Sequence, residues 1–278
     1  MILPRRRQRS DHVADHYDEL DPIYRAVWGE HVHHGFWATG RETPAEATDA
    51  LADLVGAALA PERGQKLVDI GCGYGATAAR FADRLGVAVT GLTLSAAQHR
   101  IAAARPGALT FHLRDWLDNG LPDAAFDHGY AIESSEHMTD KPRFFAEAHR
   151  VLRPGGRLVV CAWLAAPDPT PWQVRHLLEP ICREGRLPSM GSRADYEEMA
   201  RAAGFEVPSF EDVSRRVRRT WTLCATGFLK KLITDRTIRR IALGRATRNR
   251  EFMLSLPRLI FAYRTGAMRY GIFTLARK

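Results

Sequence analysis

Val68-Asp69-Ile70-Gly71-Cys72-Gly73-Tyr74-Gly75 is the stretch on which the fold turns. It closes an apolar run over 65–70 that reads as a strand, and it leads into 76–85, which reads as a helix with Ala78, Phe81, Ala82 and Leu85 on one face. Glycines at such a junction let the backbone turn sharply and let a ligand approach the main chain closely. The loop alone is ambiguous, because Gly71-x-Gly73-x-x-Ala76 also fits a dinucleotide fingerprint.

Working outward, strand-like and helix-like segments alternate. A β-branched run at 87–92 is followed by a helical stretch through Ala104, then strands at 109–113 and 126–132. A helix over 142–152 buries Phe144, Ala148, Val151 and Leu152, and Arg153-Pro154-Gly155-Gly156 stops it before a strand at 158–162. Helices are expected over 171–182 and 193–203, a strand over 205–213 and a closing strand over 268–276. Alternation of this kind implies right-handed βαβ units. The expected fold is therefore α/β, a doubly wound, mostly parallel Rossmann-like sheet with an N-terminal helical lid and a C-terminal helical cap insertion. The expected organisation is a lid over 1–60, a binding core over 61–165 and a C-terminal part over 166–278 that carries the cap and the last strands. Ligands of such sheets sit at the carboxyl ends of the strands.

Two features separate the readings of the glycine loop. Asp69 stands at the strand end, where a carboxylate suits the ammonium of a methionine moiety and repels a pyrophosphate. The second strand ends in Leu92-Thr93-Leu94-Ser95, without the acid that a nicotinamide cofactor's ribose prefers. The loop resembles motif I of class I S-adenosylmethionine (SAM)-dependent methyltransferases. That resemblance implies SAM as cofactor and S-adenosylhomocysteine as product, with Asp69, Gly71, Cys72, Gly73 and Gly75 around it. It implies Asp115 and Trp116, just after the third strand, near the adenine. The acid that usually binds the ribose is replaced by Thr93, which leaves that contact to Thr93, Leu94, Ser95 or Gln98.

The flanks narrow the likeness. Tyr17-Asp18, Tyr24 and Trp28-Gly29-Glu30-His31-Val32-His33-His34-Gly35-Phe36-Trp37 resemble the lid of tocopherol methyltransferases and their sterol-methylating relatives. Ile132-Glu133-Ser134-Ser135-Glu136-His137-Met138 is similar to that family's fourth-strand motif, and Pro171-Trp172, Asp195-Tyr196 and Tyr263-Arg264-Thr265-Gly266 continue the similarity. The lid and acceptor set is then Tyr24, Trp28, His31, His33, His34, Trp37 and Trp172, with Tyr17 and Glu133 also reaching the cofactor. A metal on His31, His33 and His34 is not expected, since no further ligand lies nearby beyond Glu30. A proton must leave the acceptor as the methyl arrives, and a base with a pKa near neutral suits this. His137 is the candidate, with Glu133 or Glu136 orienting it or holding the acceptor hydroxyl.

Composition limits the function classes. The 278 residues carry a net charge of +8 and include four cysteines, Cys72, Cys161, Cys182 and Cys224, too widely spaced for a metal or disulfide framework. No apolar run is long enough to span a bilayer, and the arginine-rich N-terminus is not a secretory signal, so a cytoplasmic protein is expected. The segment 214–250 is dense in Arg and Lys with one acid, Asp235. It lacks nucleic-acid motifs, so the partner expected is a small hydrophobic acceptor, with peripheral membrane-surface contact through Val217, Trp221, Cys224, Phe228 and Leu232 set against a plain core-facing stripe. C-methylation of a phenol, quinol or chromanol leads. The alternatives are O- or N-methylation of a secondary metabolite, C-methylation of a prenyl diphosphate held by Arg215, Arg216, Arg218 and Arg219, or SAM binding without catalysis.

Overall fold

A computed structural model describes residues 1–244, 247, 249 and 251–278. Two helices, α1 (Ser10–Val27) and α2 (Pro44–Leu59), precede the sheet. The core then runs β1 (Lys66–Ile70), α3 (Ala76–Leu85), β2 (Ala88–Thr93), α4 (Ala96–Ala102), β3 (Leu109–Leu113), β4 (Phe126–Ile132), α5 (Lys141–Val151) and β5 (Leu152–Ala165). The remainder is α6 (Pro171–Gln173), a π-helical turn (Val174–Leu178), α7 (Glu179–Glu184), α8 (Arg193–Ala202), β6 (Phe205–Asp212), α9 (Ser214–Val217), α10 (Arg219–Thr234), α11 (Arg236–Leu243), α12 (Phe252–Thr265) and β7 (Met268–Arg277).

One seven-stranded sheet has the order β3-β2-β1-β4-β5-β7-β6. Strands β1 to β5 are parallel, and β7 runs antiparallel between β5 and β6. Side chains alternate between two apolar layers, as a covered sheet requires. Leu67, Val159 and Cys161 join the layer under α1, α2 and α10, while Val68, Leu158 and Val160 join the layer under α5 and α8. Local signals set the helix starts: Thr43 and Glu46 form a capping box at α2, Ser95 caps α4 and Asp140 caps α5. No helix among the described residues is long and apolar enough to cross a membrane.

Three sequence expectations need correction. The 153–156 turn does not separate α5 from its strand, because β5 begins at Leu152, opposite Phe126, and pairing resumes at His128 with Arg157. The intervening Pro-Gly-Gly is accommodated as a bulge, with Gly155 at φ +82. The single helix expected over 171–182 is three pieces, since Pro180 has no N–H for the preceding turn and the chain widens there into a π turn. Residues 28–43 are a non-helical loop between α1 and α2. The sheet also takes strands from both 61–165 and 166–278, so the two stretches share one core.

The stripe Val217, Trp221, Cys224 and Phe228 is buried and Leu232 packs against it, so this face meets the core rather than a membrane. Arg245, Arg248 and Arg250 of the basic segment lie outside the described residues.

Candidate active site

The ends of β1, β2 and β4 converge on an open cleft. Gly71 takes φ +85, and a side chain there would run into Ser134, while the amides of Gly71 and Cys72 both donate to the Leu92 carbonyl. That pairing locks the turn and aims Gly73, which has open space where a side chain would stand, at the cleft. Gly75 starts α3 at φ +72 and lines neither this cleft nor its neighbours, so its role is to shape the loop.

Tyr17, Gly71, Gly73, Thr93, Leu94 and Gln98 line this cleft, with Asp115, Trp116, Glu133 and His137 closing it. Thr93 donates to Gln98 Oε1 at 2.8 Å, Asp115 caps the Leu117 amide at 2.9 Å, and the buried Trp116 donates to the Phe144 carbonyl at 3.2 Å. A second recess at the β1 end holds Asp69, Cys72, His31 and His33. Asp69 is buried, accepts from the Tyr130 hydroxyl at 2.9 Å, and is pushed by burial up to about 7. Burial also pushes the Cys72 thiol well up, which makes it inert. The bare glycine turn and the buried carboxylate beside it fit a ligand with a cationic amino-acid end.

A third, smaller cavity shares Tyr17, Val32, Glu133 and His137 with the first and is otherwise walled mostly by aromatic rings, among them Tyr24, Trp28, Trp163 and Trp221. His137 Nε2 lies 3.0 Å from the Tyr17 hydroxyl, its Nδ1 has no partner, and burial pushes the ring down to about 4, below the near-neutral value expected of the base, leaving a neutral imidazole at neutral pH.

Neither carboxylate orients that histidine. Glu133, at φ +55, accepts four hydrogen bonds: from the His34 amide at 2.6 Å, His34 Nδ1 at 2.8 Å, Trp163 Nε1 at 2.9 Å and the Tyr270 hydroxyl at 2.8 Å. Burial alone would raise its pKa, but the His34 charge and these bonds hold it at about 2. Its lone pairs are occupied, so it clasps the lid instead of taking a proton. Glu136 faces away from all three cavities, accepting from the Trp163 amide at 2.6 Å and from Ser135 Oγ at 3.2 Å, and burial pushes it up to about 8.

The lid set also divides. His33 Nε2 meets His31 Nδ1 at 3.1 Å over the β1 recess, and Tyr24 and Trp28 line the aromatic cavity. His34 lies behind the cavities on Glu133. Trp37 is buried away from these cavities, gives its Nε1 to the Glu42 carbonyl at 3.2 Å and lines a separate arginine-rich depression. Trp172 is 53% exposed, beside His176 and Phe261, and lines none of these cavities. Sequence reading gave no role of their own to Asp18, Arg114 and His16. Asp18 accepts from Ser95 Oγ at 2.5 Å and the Ala97 amide at 3.0 Å, tying α1 to the start of α4. Its signal was its place next to Tyr17.

Residues 4–247 match the profile of the family described as mycolic acid cyclopropane synthetase. The chain is 35% identical over 223 residues to a 27-O-demethylrifamycin SV methyltransferase of Amycolatopsis mediterranei, covering 78% of this chain and 81% of that protein. It is 28% identical to the chloroplastic tocopherol O-methyltransferase of Arabidopsis thaliana, covering 94% and 80%. Its fold superposes on a mycolic acid cyclopropane synthase, CmaA1, complexed with SAH and CTAB, with a TM-score of 0.85 at 24% identity over 97% and 99% of the chains.

Proposed function

The chain belongs to the mycolic acid cyclopropane synthetase family of SAM-dependent methyltransferases, and on that premise we propose that it methylates a hydroxyl oxygen of a compact, mostly apolar ring acceptor. The carrying observation is the aromatic cavity opening onto the glycine-loop cleft through Tyr17 and His137. Relatives named for O-methyl transfer weigh the expectation of carbon transfer toward oxygen.

Bound SAM supplies a methyl group activated on a sulfonium. Asp69 would hold the ammonium end, and Gly71 and Gly73 leave room for the chain beyond it. Thr93, Gln98 and Asp115 face the nucleoside end. Tyr17 and the closed lid keep water out, which strengthens every charge interaction inside. With SAM bound, the neutral His137 Nε2 would receive the acceptor hydroxyl's proton, directly or relayed by the Tyr17 hydroxyl, as the methyl carbon exchanges its bond to sulfur for one to that oxygen and S-adenosylhomocysteine is left. The aromatic walls orient the ring, and positioning of this kind supplies much of the rate.

Arg215, Arg216, Arg218 and Arg219 line a depression that shares no residue with the aromatic cavity. This weighs against a prenyl diphosphate acceptor. For the basic segment we infer peripheral contact with an anionic membrane surface through the outward residues Leu229, Ile233 and Leu243, which are exposed beside Lys230, Arg236 and Arg240.

The test is incubation with methyl-¹³C SAM and a panel of phenols, quinols, chromanols, amines and prenyl diphosphates. Label on oxygen supports the proposal. Label on a ring carbon, on nitrogen or on a prenyl chain overturns it in favour of that chemistry, and SAM binding without transfer supports the non-catalytic reading.

A further inference from the structure

The aromatic cavity contains two histidine–tyrosine pairs, and their hydrogen-bond polarity differs. His16 Nε2 is 2.7 Å from the Tyr24 hydroxyl, and both residues line the cavity. On its other side, His16 Nδ1 is 2.5 Å from the Asn249 side-chain nitrogen, and that nitrogen also donates to the Glu184 carbonyl at 3.1 Å. A carbonyl only accepts, so the Asn249 atom facing it is the amide nitrogen. That nitrogen has two protons, one for Glu184 and one for His16 Nδ1. His16 Nδ1 therefore accepts, His16 Nε2 carries the ring proton, and the Tyr24 oxygen accepts from it. The Tyr24 proton is left without a protein acceptor among the described residues.

The other pair runs the opposite way. His137 Nε2 faces the Tyr17 hydroxyl at 3.0 Å, and its Nδ1 has no hydrogen-bond partner. The role of base proposed for Nε2 requires that it accept from Tyr17, which puts the ring proton on Nδ1. The Tyr17 and Tyr24 rings lie 5.3 Å apart, centroid to centroid. One wall of the cavity thus presents a proton acceptor behind a hydroxyl, and the neighbouring hydroxyl presents a proton to donate.

We propose that the acceptor carries two oxygens on one compact ring system, a hydroxyl that loses its proton toward His137 and a carbonyl-type oxygen that accepts from Tyr24. A donor on the attacking oxygen itself would hold back the lone pair that must attack carbon, so the Tyr24 donor suits a second, non-reacting oxygen. A buried donor left unpaired costs about 1–3 kcal/mol, so an acceptor lacking the second oxygen is rejected. Tyr24 is the residue that touches the substrate, and His16 and Asn249 are positioning residues acting through it. The inference rests on the aromatic cavity being the acceptor site, as proposed above.

The test compares 2-, 3- and 4-hydroxyacetophenone with the matching ethylphenols, which have the same shape without the carbonyl. Binding to the SAH-loaded protein is followed by quenching of the cavity tryptophans, and turnover with SAM is measured in parallel. Wild type is expected to bind at least one ketone about 10- to 100-fold more tightly than its ethyl partner. Tyr24→Phe should collapse that ratio toward 1. Asn249→Ala, which frees His16 Nδ1 to take the ring proton and turns Tyr24 back toward Nε2, should reduce it as well. A melting curve and SAH affinity check that each variant folds. A wild-type ratio near 1, or a ratio unmoved in both folded variants, overturns the inference. Discrimination in binding with no methyl transfer to any hydroxyl would sink the O-methylation proposal and leave the two-oxygen recognition standing.

Discussion

At the scale of single residues, the site depends on atoms whose partners are already assigned. Glu133 is saturated by four donors, so Glu133→Gln sets the amide's own N–H groups against donors that have nowhere else to go. A loss of about 3 kcal/mol is expected by urea denaturation, with faster proteolysis in the 28–43 loop. Gly71→Ala should reduce SAM affinity more than 100-fold by calorimetry, because the new methyl strikes Ser134 at a φ that only glycine holds cheaply. Asp69 titrates near 7 in the free protein, so below that pH it is neutral and loses its pull on a cation. SAM affinity should therefore rise about tenfold per pH unit toward 7 and level off above it, and Asp69→Asn should remove that pH dependence. The glycines and Asp69 were legible in sequence because their chemistry is local. Glu133 and Glu136 were not, because the positive φ at Glu133 and the short turn after it send two acids in opposite directions.

At the scale of elements, α10 separates two readings of one amphipathic stripe. Trp221 is buried against Trp28, His34 and Trp163, so Trp221→Ala should cost about 3–5 kcal/mol in denaturant titrations. Leu229→Ser and Ile233→Ser, on the exposed face, should change stability by no more than about 0.5 kcal/mol. The same pair should weaken co-sedimentation with anionic vesicles, and unchanged sedimentation would remove the membrane contact. Helical spacing exposes which residues share a face. It does not say what lies against that face, and here the core claimed it. The aromatic-rich lid posed the same difficulty: Trp28 and Trp37 are equally suited to line the aromatic cavity, and only the former does.

At the scale of the whole molecule, His16, His31, His33 and His137 are all held with depressed pKa values, in each case chiefly by burial. A depressed folded pKa means that protons prefer the unfolded chain. The corresponding stability is present above the unfolded value of about 6.5 and is lost as pH falls toward the folded values, about 4 for His137 and about 3 for His31. Each such histidine contributes up to about 1.4 kcal/mol per pH unit over that window. Buried Asp69 and Glu136, held up at about 7 and about 8, take up protons in the folded state over the same window and offset part of that loss. The melting temperature should therefore fall only moderately between pH 6.5 and 4, and His31→Asn should flatten the slope. The lid helix carries His16 and the lid loop carries His31 and His33, so the loss should begin there, visible as earlier hydrogen exchange in 10–43 than in the β-sheet.

The sequence by itself determined the doubly wound core, the glycine turn with its carboxylate, and the cofactor class. The core and the turn rest on interactions between residues close in the chain, where propensity and spacing carry the signal, and the cofactor class rests on the resemblance of that loop to motif I of class I methyltransferases. Only the tertiary structure decided the direction of each lid aromatic, the saturation of Glu133 and the pairing of His16 with Tyr24 through Asn249, partners 233 and 8 residues apart along the chain. Such contacts are set by how α1, α12 and the sheet edge close over one another, and no local pattern encodes that closure.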